Sequence, residues 1–195
     1  MEVLLGIQGK DFVLVASDAL AITSIVAMKR NHNKTRKLNN NVLLMFSGEG
    51  GDTVQFCEFI QRNVQLNGIR RGYPLSTKAA ANFTRIELAD SLRSRHPYQV
   101  NLLIAGCDPE TGVPELYWMD YLASLKKLPF AVQGYGQYFC NSTLDRYYRP
   151  DMNLEEAKAL MKKCINELKV RFIINFSDFV FQVVDKEGIR EITIE

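Results

Sequence analysis

The chain has 195 residues, 47% hydrophobic and 24% charged, which is a globular composition and excludes a largely disordered or low-complexity protein. Its 24 Lys and Arg against 22 Asp and Glu leave a formal charge of +2, too near neutral for the molecule as a whole to attract nucleic acid. The longest apolar runs, such as 102–107, fall far short of the ~20 residues a membrane helix needs, and the start lacks the basic region of a signal peptide. One domain over 1–195 is expected from the usual prior of about 100–200 residues per domain.

In chain order, the β-type stretches 3–7 and 12–16 flank the turn residues Gly9, Lys10 and Asp11, which predicts an opening hairpin. Residues 42–46 read as a buried strand. The loop Ser47-Gly48-Glu49-Gly50-Gly51-Asp52 then releases into a helix whose buried face is expected at Val54, Cys57, Ile60 and Val64. Ser76 opens a second helix with Ala79, Phe83 and Ile86 as its apolar face; Arg93, Arg95 and Pro97 mark its end. Residues 100–107 and 115–119 predict a second hairpin around Asp108-Pro109 and Gly112. Further helices follow, one opened by the capping-box pair Asn153 and Glu156 and continued through Ala157, Leu160, Cys164 and Leu168. A third hairpin, 179–184 with 189–194, closes the chain over Asp185-Lys186-Glu187-Gly188. Alternating hairpins and helix pairs predict an α+β fold with antiparallel sheets.

The chemistry-bearing residues are sparse. His32 sits in a polar run and His96 precedes a proline, so both read as surface residues; neither Gly-x-Ser-x-Gly nor His-Glu-x-x-His occurs. The glycine-rich 47–52 loop lacks the Lys-Ser/Thr ending of a phosphate cradle and reads as a tight turn. Cys57, Cys107, Cys140 and Cys164 have neither zinc-ligand nor disulfide-framework spacing and read as small buried hydrophobes of a reducing compartment. No metal and no cofactor is expected. Lys29, Arg30, Lys34, Arg36 and Lys37 form a basic stretch without acidic residues, but no aromatic side chain interleaves them. That stretch therefore reads as a solvated or subunit-facing loop, with no nucleic-acid and no membrane partner. Asp18, Asp120, Asp145 and Asp178 are scattered carboxylates, and spacing alone does not bring any two together.

Several segments in sequence resemble the proteasome beta-type subunits of the N-terminal-nucleophile hydrolase superfamily. They are Val13-Leu14-Val15-Ala16-Ser17-Asp18, then Ser47-Gly48 before the first helix, then Gly134-Tyr135-Gly136 followed by Leu144-Asp145-Arg146-Tyr147-Tyr148-Arg149-Pro150. The wording of 51–56 and 95–101 looks most like subunits at the fourth position of the beta ring. The resemblance implies a four-layer αββα sandwich, two antiparallel sheets between helical layers.

In active members a threonine freed at the amino terminus is the nucleophile, and its own amine is the base. Glu2 aligns with that threonine, and no glycine of the chain precedes Thr or Ser, so self-cleaving activation is not expected. By the same resemblance Asp18 matches the aspartate near the nucleophile, Lys34 the lysine that tunes it, and Gly48 the glycine whose N–H stabilises the oxyanion. The remaining catalytic positions are replaced by Tyr135, Phe172 and Asn175, which makes the retained three structural remnants.

The implied function is a non-catalytic wall subunit of the 20S core particle in ATP- and ubiquitin-dependent protein degradation. Its implied partners are alpha- and beta-type subunits in stacked seven-membered rings, assembly chaperones, and unfolded protein substrates in the chamber; its implied location is cytoplasm and nucleus. The loop 120–125 is the expected contributor to a neighbour's substrate pocket. An active threonine peptidase revealed by unseen processing, and a free-standing binding module, are the alternative readings.

Overall fold

A computed structural model describes residues 2–23, 26–174, 176 and 178–194. The opening hairpin forms: β1 (Val3–Gln8) and β2 (Phe12–Asp18) run antiparallel with Gly6 opposite Val15. They are the centre of a five-stranded sheet in the order β10 (Phe130–Gly134), β1, β2, β11 (Phe179–Asp185), β12 (Gly188–Ile192). The second five-stranded sheet runs β5 (Thr35–Asn39), β6 (Val42–Gly48), β7 (Val100–Cys107), β8 (Pro114–Met119), β9 (Leu125–Lys127). A separate two-stranded ribbon pairs β3 (Ala21–Thr23) with β4 (Val26–Lys29). The mid-chain and closing hairpins are the pairs β7–β8 and β11–β12.

Strand β2 shows why the layers stack as they do. It is buried along its whole length, because Phe12, Leu14 and Ala16 face one apolar cluster and Val13 and Val15 face another. A strand covered on both sides reads as a continuous apolar run rather than an alternation. The inner cluster joins Leu4, Val13, Val15 and Val184 of the first sheet to Leu43, Met45 and Leu103 of the second. The outer face of the first sheet packs on α3 (Gln137–Tyr147) and α4 (Leu154–Arg171), through Leu144, Leu160, Met161 and Leu168. The outer face of the second sheet packs on α1 (Gly50–Arg71) and α2 (Thr77–Ser91), through Phe56, Ile60, Ala80 and Leu88. The result is the expected αββα sandwich.

Helix ends follow local rules. The Asn153 side chain accepts from Glu156 N and the Glu156 carboxylate accepts from Asn153 N, each 3.0 Å, completing the capping box of α4. Glu49 caps α1 by accepting from Gly51 N and Asp52 N. The glycine-rich loop thus spends its free N–H groups on the chain's own carboxylate.

Two helical faces differ from expectation. On α1, Cys57, Ile60 and Val64 are buried but Val54 is exposed, and Phe56 takes its place inside. On α2 the buried residues are Thr77, Ala80, Ala81, Thr84 and Leu88, while Ala79 and Ile86 face outward and Phe83 is half-buried. At its start α2 approaches the sheet closely: a Cβ added at Gly106 would lie 2.1 Å from Thr77 Oγ1. Small side chains fit that gap, and the Thr84 hydroxyl is satisfied by donating to Ala80 O at 2.8 Å. Packing distance overrides side-chain bulk in choosing the inner face.

Candidate functional site

At one end of the sandwich β2 delivers Asp18, β6 delivers Gly48, and the approach to β5 delivers Lys34. The Phe46 N–H donates to Lys34 O at 3.1 Å, which ties that approach to the end of β6. Asp18 and Lys34 are fully buried. The Lys34 ammonium donates to Asp18 Oδ2 at 2.6 Å and to Leu20 O at 2.8 Å. Asp18 also accepts from Val3 N at 2.7 Å and from Leu20 N at 3.2 Å. A buried ion pair is tolerable only when its remaining lone pairs and protons find partners, as they do here.

Glu2 completes the cluster. Its Oε2 accepts from Gly48 N at 2.7 Å and its Oε1 lies 3.5 Å from Lys34 Nζ. One carboxylate thus bridges the backbone donor and the buried ammonium. Gly48 has φ +139°, and a Cβ there would lie 2.1 Å from Gln99 O, so only glycine presents its N–H in this place. Behind Glu2, Tyr135 N donates to Glu2 O at 3.2 Å. Gly134, at φ +73°, lets that turn close: a Cβ there would lie 2.0 Å from Glu2 O.

His32 is half-buried beside this network rather than a plain surface residue, with its backbone N–H donating to Ala19 O at 2.8 Å. Desolvation lowers its pKa from 6.5, Lys34 pushes in the same direction, and Glu2 opposes them. Sequence gave no signal for this placement beyond His32 lying two residues before Lys34.

Tyr135 and Phe172, which the resemblance sets in place of catalytic residues, form a different surface. Tyr135 packs at a tilt against Phe172 with centroids 5.7 Å apart and against Tyr138 at 6.4 Å. Phe172 meets Phe139 at 5.7 Å and lies nearly parallel to Phe176 at 5.4 Å. The chain of rings continues through Phe179 to Phe181. Asn175 lies outside the described residues. The structure therefore brings Glu2, Asp18, Lys34 and Gly48 together, and separately joins Tyr135 to Phe172.

Chemically, the polar half offers one ammonium and one backbone N–H, both already engaged by carboxylate oxygens. An ionised carboxylate is acceptor-only. Ser17 and Ser47 flank the cluster in sequence, but both are buried and, by strand alternation with Val15 and Met45, face the layer between the sheets. Among the described residues no group of three or more His, Cys, Asp or Glu is arranged to hold a metal ion. His96 lies in the exposed segment after α2, Asp145 is exposed on α3, and Asp120 closes its own loop by accepting from Leu122 N and Ser124 N. Among the described residues no helix is long and apolar enough to cross a membrane.

An αββα sandwich with an Asp–Lys pair and a strand-end glycine N–H at one end is the architecture of the N-terminal-nucleophile hydrolase class. A family model described as proteasome subunit matches residues 2–184. The chain is 50% identical over 194 residues to the probable proteasome subunit beta type-4 of Schizosaccharomyces pombe, covering 100% of both. It is 46% identical to the proteasome subunit beta type-4 of Saccharomyces cerevisiae, covering 98% of this chain and 97% of that one. To the proteasome subunit beta type-2-B of Arabidopsis thaliana it is 49% identical, covering 98% and 95%. This chain belongs to the proteasome subunit family.

Proposed function

We propose that this chain is a non-catalytic beta subunit of the 20S core particle, at the fourth position of the beta ring, contributing wall and geometry to the proteolytic chamber. The observation that carries the reading is the Glu2 carboxylate, which occupies both the Gly48 N–H and the face of Lys34 where an oxyanion and its nucleophile would have to sit. Catalysis of acyl transfer needs that donor free for the developing charge. The aromatic replacement at Tyr135 and Phe172 points the same way, since ring faces neither relay protons nor orient an amine.

The partners under this reading are the other alpha- and beta-type subunits in stacked rings, with chaperones during assembly and unfolded chains in the chamber, in cytoplasm and nucleus. The loop 120–125 supplies a shaped contact to a neighbour. Asp120 pins it from inside and Ala123 holds φ +59°. Tyr121 and Leu122 remain exposed at its tip.

The test is an electrophilic peptide probe that forms adducts with amino-terminal threonine, applied to intact particles containing this chain. Adducts on other beta subunits and none here are expected; an adduct on this chain, or loss of one assignable peptidase activity in Lys34→Ala with assembly intact, overturns the reading. Alanine at Tyr121 and Leu122 tests the loop: a changed rate for one neighbouring activity is expected, and unchanged rates for all remove its role.

A further inference from the structure

Among the described residues strand β4 pairs only with β3, and all of its residues are exposed. Side chains alternate along a strand, so Val26 and Met28 share one face and Ala27 and Lys29 the other. β3 is held to the sandwich through Ile22, half-buried against the cluster beneath α4. β4 therefore stands outside, with neither face on the core. A two-stranded ribbon is marginally stable by itself in water, and here Val26 at 54% and Met28 at 68% exposure carry apolar surface that none of the described residues covers.

The charge pattern says what would cover it. Lys29 and Arg30 follow directly and are exposed, and no acidic residue occurs between 26 and 37. Among the described residues neither cation is ion-paired. Arg36, farther along, differs: it lies over the Phe46 ring at 5.3 Å and 3.9 Å from Glu58. Unpaired cations thus concentrate at the end of the ribbon beside uncovered methionine and valine. A nucleic acid would satisfy the cations but not the apolar face, and the stretch has no Phe, Tyr or Trp on which a base could stack.

We propose that this ribbon is a docking element, and that its occupant is an acidic face of a different subunit of the same particle, which covers Val26 and Met28 and pairs with Lys29 and Arg30. The inference rests on the reading of this chain as a proteasome subunit and deepens it by assigning a contact surface.

The test places a photo-crosslinking phenylalanine analogue at Met28 of the full chain in cells, with particles isolated through a tag on another subunit, irradiated and analysed by peptide mass spectrometry. One major adduct is expected, to a different proteasome subunit and within a peptide rich in Asp and Glu. Double charge reversal, Lys29→Glu with Arg30→Glu, is expected to lower the fraction of this chain incorporated by about tenfold, whereas Lys29→Arg with Arg30→Lys leaves it unchanged. Should the analogue impair folding, the charge-reversed chain read by native mass spectrometry carries the test, and unchanged incorporation overturns the proposal. An adduct to a second copy of this chain, to nucleic acid, or none at all within an intact particle also overturns it. Absence of the unaltered chain from the particle would instead overturn the proposed function.

Discussion

The Glu2 end of the sandwich is built in two halves of opposite chemistry. In the polar half Asp18, Lys34, Gly48 and Glu2 satisfy one another through short hydrogen bonds. In the aromatic half Tyr135, Phe172 and Phe176 hold the neighbouring segments by ring contact. The first half ties its charged and polar groups to one another; the second holds by ring packing. The polar half is the costlier one to disturb, because a buried ion pair is hard to dismantle one partner at a time.

That asymmetry predicts the largest effect at Asp18. Asp18→Ala leaves the Lys34 ammonium buried with only Leu20 O and the more distant Glu2 for company. A loss of about 3–5 kcal/mol is expected, read by denaturant unfolding. A loss under about 1 kcal/mol would mean that Lys34 reaches solvent, and the polar half would not be a closed unit.

The aromatic half should answer more softly. Phe172→Ala removes contacts to Tyr135, Phe139 and Phe176, but the ring is only half-buried. About 2–3 kcal/mol is expected, below the ~3–5 kcal/mol of a fully enclosed phenylalanine. Equal losses at Asp18 and Phe172 would erase the contrast between the halves.

Smaller again is Glu2→Ala. It removes the bond to Gly48 N and the approach to Lys34, yet the Glu2 side chain is 23% exposed, so water can replace part of what is lost. About 1–2 kcal/mol is expected from thermal or denaturant unfolding.

These contrasts also separate what sequence carried from what only the fold reveals. The opening hairpin was legible because turn residues separate two β-type runs, and α4 because its capping box is local. Strand β5, Thr35-Arg36-Lys37-Leu38-Asn39, was not, since a polar edge strand looks like loop; edge positions favour charges that discourage further pairing. The inner face of α2 was misread because it is lined by small side chains, Thr77, Ala80, Ala81 and Thr84, with Thr77 close against Gly106, rather than by the bulkier Phe83 and Ile86. Asp18, Lys34 and Gly48 could be named by resemblance. That Glu2 bridges the last two could not, because the bond from Gly48 N spans 46 positions and depends on two sheets meeting at one corner.

The finest test of that corner is His32, which senses both halves of the Glu2–Lys34 contact without belonging to it. Burial lowers its pKa from 6.5 and Lys34 adds to the lowering, with smaller contributions in the same direction from Lys29 and Arg36; Glu2 pulls it back up. A base whose folded pKa lies below its unfolded value binds fewer protons when folded. Its unfavourable contribution is absent above about pH 6.5, grows as the unfolded state protonates on acidification, and levels off below the folded pKa. In a proton NMR titration the His32 midpoint is expected below 6.5. Glu2→Gln should lower it further by removing the opposing carboxylate, and Lys34→Met should raise it. A midpoint unmoved by Glu2→Gln would mean that the Glu2 carboxylate does not act at this corner, against its 3.5 Å approach to Lys34.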